Sequence, residues 1–209
     1  MTWTSAFGAA CGKLLRVIVN RMDLARISPN VLTFMGLLIN VFAALLFGYA
    51  TGETQRRMFL YAGLVVFGAG FFDLVDGRVA RASNQVTVFG AFFDSVLDRY
   101  SDAALFFGLL VFYARGNRFF YVVLTALVMI SSIMVSYTRA RAESLIGTCK
   151  VGFMERPERL VLVIIGALAN RMAPVLWVIA VLSTITVIHR MYYTYQQTEL
   201  MEAAPGRAA

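Results

Sequence analysis

Five of the six aspartates in this chain stand at Asp73, Asp76, Asp94, Asp98 and Asp102, all in otherwise apolar sequence. A carboxylate near hydrocarbon costs about 2.5 kcal/mol or more, and several unpaired ones close together repel and neutralise one another. A divalent cation is the economical way to keep them ionised. Their spacing suits one. Asp73 and Asp76 are i, i+3, while Asp94, Asp98 and Asp102 are successive i, i+4 steps, so each set shares one face of a helix. The linker from Gly77 to Gly90 is short enough to let those faces meet near the membrane surface. Hard oxygen donors from two helices describe a magnesium-type site for one or two ions. Asp102 then falls outside the ligand set, paired with Arg99 or another base. A proton or cation pathway is the other chemistry that such acids serve in a helical bundle.

A second polar island runs Ser136-Tyr137-Thr138-Arg139-Ala140-Arg141-Ala142-Glu143, followed by Glu155-Arg156-Pro157-Glu158-Arg159. Its four arginines close two consecutive helices on the side of the acids. Guanidinium forks suit bidentate phosphate recognition, and charge alone equally allows simple anchoring at the membrane face with glutamate partners.

The elements that must hold these groups are apolar helices. Of 209 residues 59% are hydrophobic and only 15% charged, with a net charge of +7. Soluble domains carry roughly a quarter charged residues, so a disordered chain, a disulfide scaffold and a soluble single-layer fold are excluded. The basic residues form no tract, which argues against nucleic acid. Cys11 and Cys149 lack any CxxC partner and offer neither a zinc site nor a disulfide framework. Six stretches approach the ~20 apolar residues that cross a bilayer: Val31 to Ala50, Met58 to Phe72, Val86 to Tyr113, Phe119 to Tyr137, Leu160 to Ala169 and Pro174 to Ile188. Short connections predict one antiparallel bundle. The expectation is thus an all-α, polytopic membrane bundle of six transmembrane helices.

Residues 1–28 read as an N-terminal interfacial amphipathic segment. Leu14, Leu15, Ile18 and Met22 recur at helical spacing among Lys13, Arg16 and Arg21, although a solvated basic leader would look similar. These bases also break up any signal-peptide h-region. Residues 29–195 form the six-helix domain and 196–209 a polar tail. With the N-terminus inside, the inner flanks hold thirteen Lys and Arg and the outer loops five, Arg56, Arg57, Arg115, Arg118 and Arg171. That excess places both termini and the acids on the cytoplasmic side; a bacterial inner (plasma) membrane is the expected location.

The stretch from Asp73 to Asp98 reads DxxDGxxAR, eight residues, then GxxxDxxxD, with Asp73, Asp76, Gly77, Ala80, Arg81, Gly90, Asp94 and Asp98 at the fixed positions. This resembles the signature of the CDP-alcohol phosphotransferase family, whose six-helix pattern also covers most of the chain. The resemblance implies displacement of CMP from CDP-diacylglycerol by a phosphorylated polyol, in contact with membrane lipids, with Mg2+ required in two sites and Mn2+ as the other candidate metal. It places Asp73, Asp76 and Asp94 around one ion and Asp73, Asp94 and Asp98 around the second. Asp98 doubles as general base. Gly77, Ala80 and Gly90 allow close approach of the nucleotide, and Arg81 holds the diphosphate. Tight helix packing is the alternative use of the glycines.

Pro29-Asn30-Val31-Leu32-Thr33 resembles the family's donor-contacting segment, which gives Asn30 and Thr33 a nucleotide role beside their ordinary use as caps. Thr87 joins them by family position. The islands SYxxARAE and ERxxR resemble the phosphatidylinositol phosphate synthase branch, whose acceptor is inositol 1-phosphate. On that template Arg139, Arg141 and Arg159 bind the acceptor phosphate and Arg156 is their neighbour. Members of the branch often carry Lys where this chain has Arg139. Phosphatidylglycerol phosphate synthesis, with glycerol 3-phosphate as acceptor, remains the rival chemistry. A Mg2+- or proton-coupled transporter is the rival class. Related enzymes are homodimers, which sets the expected assembly.

Overall fold

A computed structural model describes residues 29–82 and 87–203, with side chains described for 30–70 and 87–203. Six α-helices follow one another: α1 Pro29–Tyr49, α2 Gln55–Ala82, α3 Val88–Arg115, α4 Phe119–Ile146, α5 Arg156–Leu168 and α6 Met172–Ala203. No strand occurs among the described residues. The amphipathic segment expected over residues 1–28 lies outside them.

The helix ends follow local chemistry. Pro29 opens α1 at a position whose missing N–H is not needed. Thr87, in extended backbone, accepts a hydrogen bond from the Gly90 N–H at 2.9 Å and so starts α3. The Glu158 carboxylate accepts from the Glu155 N–H at 3.1 Å and fixes the first turn of α5. Asn117 and Asn170 carry the turns after α3 and α5 at φ 56° and 52°, a left-handed conformation in which asparagine is favoured.

Helix α1 packs on both α2 and α3, α3 on α4, α4 on α6, and α5 bridges α2 and α6. The core is a cluster of apolar side chains around Phe47, Phe59, Leu105, Leu109, Val128, Leu176 and Ile179. Phe59 of α2 sits edge-on between Phe47 of α1 and Phe112 of α3, at centroid distances of 5.0 and 4.9 Å. Gly108 of α3 lies directly against α1. A Cβ there would come within 2.2 Å of the Ala44 carbonyl oxygen, so only glycine lets these backbones approach.

The outer faces are as apolar as the core. Phe34, Leu38, Phe42 and Leu45 of α1 and Ile130, Ile133 and Met134 of α4 are exposed, which water does not tolerate over contiguous area but hydrocarbon does. Among the described residues three helices are long and apolar enough to cross a membrane by length and composition: Asn30–Tyr49, Phe119–Ile146 and Met172–Ala203. Of the others, α3 carries Asp94, Asp98, Arg99 and Asp102, and α5 has only 13 residues. Helix α6 runs on to Ala203, past residue 195, where the polar tail was expected to begin. Thr194 and Thr198 turn their hydroxyls back onto the carbonyls of Arg190 and Thr194, which lets a polar sequence remain helical.

Candidate active site

The first half of α3, the last turns of α4, the start of α5 and Arg190 of α6 surround a cavity of about 380 Å³. Asp94, Asp98 and Asp102 line it from α3, one turn apart as their spacing predicts. Arg139 enters from α4, Arg156 and Arg159 from α5. The two polar islands, separated by some forty positions in sequence, therefore share one chamber at one end of the bundle.

Six ion pairs among the described residues knit it. Arg156 Nη1 lies 2.8 Å from Asp98 Oδ1 and its Nε 3.6 Å from Asp102 Oδ1. Arg159 Nη2 reaches Asp102 Oδ2 at 2.6 Å, deep in the protein. Asp102 thus takes another base rather than Arg99, whose guanidinium turns back on the Ser95 hydroxyl and carbonyl of its own helix. Glu155 Oε1 accepts from Arg139 Nη1 and from Arg190 Nη2, both at 2.8 Å, while Arg139 Nε donates to Glu143 at 3.0 Å.

Arg141 is not brought to this cavity. It is exposed, and its guanidinium reaches only the Ser144 hydroxyl. Two residues along a helix rotate a side chain by about 200°, so Arg139 and Arg141 cannot face the same chamber. Arg190 went unnoticed as a site residue. It is buried, donating to the carbonyls of Val135 and Val151 and to Glu155. An arginine inside an apolar helix was the only sequence signal available for it. Gly152 makes room for this clasp. It sits at φ 102°, and a Cβ on it would meet Thr186 Cγ2 at 2.5 Å and Arg190 Nε at 3.1 Å.

The donor-side residues group separately. A Cβ on Gly90 would come within 2.9 Å of Thr87 Oγ1 and 3.3 Å of Asn30 Oδ1, so Asn30, Thr87 and Gly90 stand together where α1 and α3 begin. Thr33 lies one turn along α1 from Asn30, half-buried. Asp73, Asp76, Gly77, Ala80 and Arg81 fall in the last turns of α2, and their side chains lie outside the described residues.

The described residues supply part of a metal donor set. Asp94 and Asp98 present carboxylate oxygens at the cavity wall, hard ligands that fit Mg2+ or Mn2+. No three His, Cys, Asp or Glu among the described residues converge on one point.

Carboxylates facing arginines inside an apolar helical bundle suit phosphoryl chemistry. Comparison with known proteins agrees. The family model for CDP-alcohol phosphatidyltransferase matches residues 26–198. The chain belongs to that family, and it is an integral-membrane transferase of phospholipid biosynthesis. It is 38% identical over 175 residues to the archaetidylinositol phosphate synthase of Pyrococcus horikoshii, covering 83% of this chain and 87% of that one. It is 33% identical over 205 residues to the phosphatidylinositol phosphate synthase of Mycobacteroides abscessus, covering 94% and 90%. Among solved structures it resembles the phosphatidylinositol phosphate synthase of Mycobacterium tuberculosis with CDP-DAG bound, at 31% identity and a TM-score of 0.79 over 94% of this chain and 99% of that one. The same enzyme in complex with manganese and citrate gives 32% identity and a TM-score of 0.73, over 93% of each chain.

Proposed function

We propose that the protein moves the phosphatidyl group of CDP-diacylglycerol onto inositol 1-phosphate and releases CMP. The observation that supports a phosphorylated acceptor is the cavity in which Asp98 faces Arg139, Arg156 and Arg159. A hydroxyl to be deprotonated and a phosphate to be held need those two kinds of group a few ångströms apart. Archaeal and bacterial relatives that differ in the name of their lipid share inositol phosphate in the name of their product, which supports the same acceptor here.

In this reading the arginines grip the acceptor phosphate and aim its free hydroxyl at the lipid-bearing phosphorus. Asp98 takes the hydroxyl proton as the new O–P bond forms and the bond to CMP breaks. Asn30, Thr33, Thr87, Gly90 and, from α2, Asp73, Gly77, Ala80 and Arg81 receive the nucleotide and its diphosphate. Asp73, Asp76, Asp94 and Asp98 would hold Mg2+ or Mn2+ in two sites, and a bound ion neutralises charge on the diphosphate and the departing phosphate. All six helices cross the membrane, with α5 completed by its flanks, the termini and cavity on the cytoplasmic side of a bacterial inner membrane, and the enzyme as a homodimer. The boundaries at 28 and 195 mark the interfacial segment and the tail.

The deciding assay supplies purified protein with Mg2+ and CDP-diacylglycerol and measures CMP release with each acceptor. Release with inositol 1-phosphate is expected. Release with glycerol 3-phosphate alone would replace the acceptor assignment.

A further inference from the structure

We propose that Arg156 has two seats, and that its movement between them makes the divalent cation and the acceptor phosphate tighten each other's binding. This rests on the function proposed above. Among the described residues, the charged side chains that line the cavity balance: Arg99, Arg139, Arg156, Arg159 and Arg190 face Asp94, Asp98, Asp102, Glu143 and Glu155. That balance leaves them little net attraction for a phosphate dianion. Something must shift charge toward the ligand when it arrives.

Arg156 is placed to do so. Its Nη1 is 2.8 Å from Asp98 Oδ1, an oxygen that a cation in the family's second metal site would need. A guanidinium and a dication on the same carboxylate oxygen repel each other, so the two compete. The second seat lies beside the first. Asp102 Oδ1 is buried without a hydrogen-bond partner and stands 3.6 Å from Arg156 Nε. Closing that gap to the usual ~2.9 Å forms a charge-assisted bond and satisfies an oxygen that is costly to leave bare. Asp102 itself stays in place, because Arg159 holds its other oxygen at 2.6 Å. The backbone of Arg156 is fixed by Pro157 and by the Glu158–Glu155 bond, which confines the motion to the side chain.

With a cation on Asp98, Arg156 settles on Asp102 and turns Nη1 toward the space it shares with Arg139 and Arg159. A phosphate there draws Arg156 away from Asp98 and clears that carboxylate for the cation. Linkage requires the two effects to be equal in size.

The test is Mn2+ binding to detergent-solubilised protein, followed by the paramagnetic resonance of free Mn2+, with and without inorganic phosphate. Protein-free samples correct for Mn2+–phosphate association. In the wild type, phosphate is expected to tighten Mn2+ by roughly tenfold. Arg156→Gln, or Arg156→Met if the amide disturbs packing, is expected to bind Mn2+ tighter by a similar factor without phosphate, and phosphate then adds less than about twofold. Misfolding cannot produce a gain of affinity. Wild-type Mn2+ affinity in these variants, or phosphate tightening that persists in them, would overturn the two-seat mechanism while leaving the transferase reading intact. Absence of Mn2+ binding to the wild type would overturn the metal-dependent reading itself.

Discussion

Nη2 of Arg159 lies 2.6 Å from Oδ2 of Asp102, and the two side chains are only 2% and 6% exposed. The pair joins α3 to α5 across the floor of the cavity. A buried ion pair gives little net stability against an apolar substitute, but breaking one leaves a naked charge in low dielectric. Asp102→Asn is therefore expected to destabilise the protein by about 3–5 kcal/mol, read as a fall in the thermal midpoint in detergent. The double variant Asp102→Leu with Arg159→Leu should lose much less than the sum of the single changes. Additive losses would show that the two charges do not depend on each other.

In the proposed reaction Asp98 takes the proton of the acceptor hydroxyl. Asp98→Asn keeps the shape and removes the base, so transfer is expected to drop by at least 100-fold. Binding of CDP-diacylglycerol should survive in large part. CMP release and donor binding, measured side by side, separate the two effects; near-normal turnover would remove Asp98 from its role.

Arg139 and Arg141 offer a comparison within one helix. Arg139 lines the cavity and Arg141 points away from it. Arg139→Gln is expected to raise the KM for inositol 1-phosphate at least tenfold more than Arg141→Gln does, in keeping with the ~1.5–3 kcal/mol of a charged hydrogen bond. Equal effects would mean that the acceptor binds on the outer face of α4.

Gly108 tests the packing that holds α1 on α3. Its added Cβ would fall 2.2 Å from the Ala44 carbonyl, with backbone rather than a flexible side-chain tip in the way. Gly108→Val should cost about 1–3 kcal/mol or more as the helices are pushed apart. The thermal midpoint should fall, and donor affinity should weaken because Asn30 and Gly90 sit on the same two helices.

The acid cluster was legible in sequence because helical spacing is a local property: Asp94, Asp98 and Asp102 had to share a face wherever α3 went. The partner of Asp102 was not, because it lies 57 positions away and only the packing of α5 brings it in. Arg190 was hidden for the same reason. Its three protein partners come from α4 and from the loop before α5, and none is near it in sequence. Arg141 shows the reverse situation. Helical geometry alone separates it from Arg139, yet the family template grouped them. The extents of α2 and α6 were underestimated because hydropathy ends where charge begins, whereas helical hydrogen bonding does not.

The shortness of α5 has a consequence for how the substrates meet. Thirteen residues rise only about 20 Å, roughly 10 Å less than the hydrocarbon core of a bilayer. Arg156 and Arg159 stand in the first turn of that helix, beside the cavity that holds Asp98 and Asp102. In the proposed reaction a water-soluble sugar phosphate enters this cavity without crossing oil. The lipid, in the same reading, keeps its tails in the bilayer and offers its diphosphate from the side. One short helix spares either substrate from leaving its own solvent.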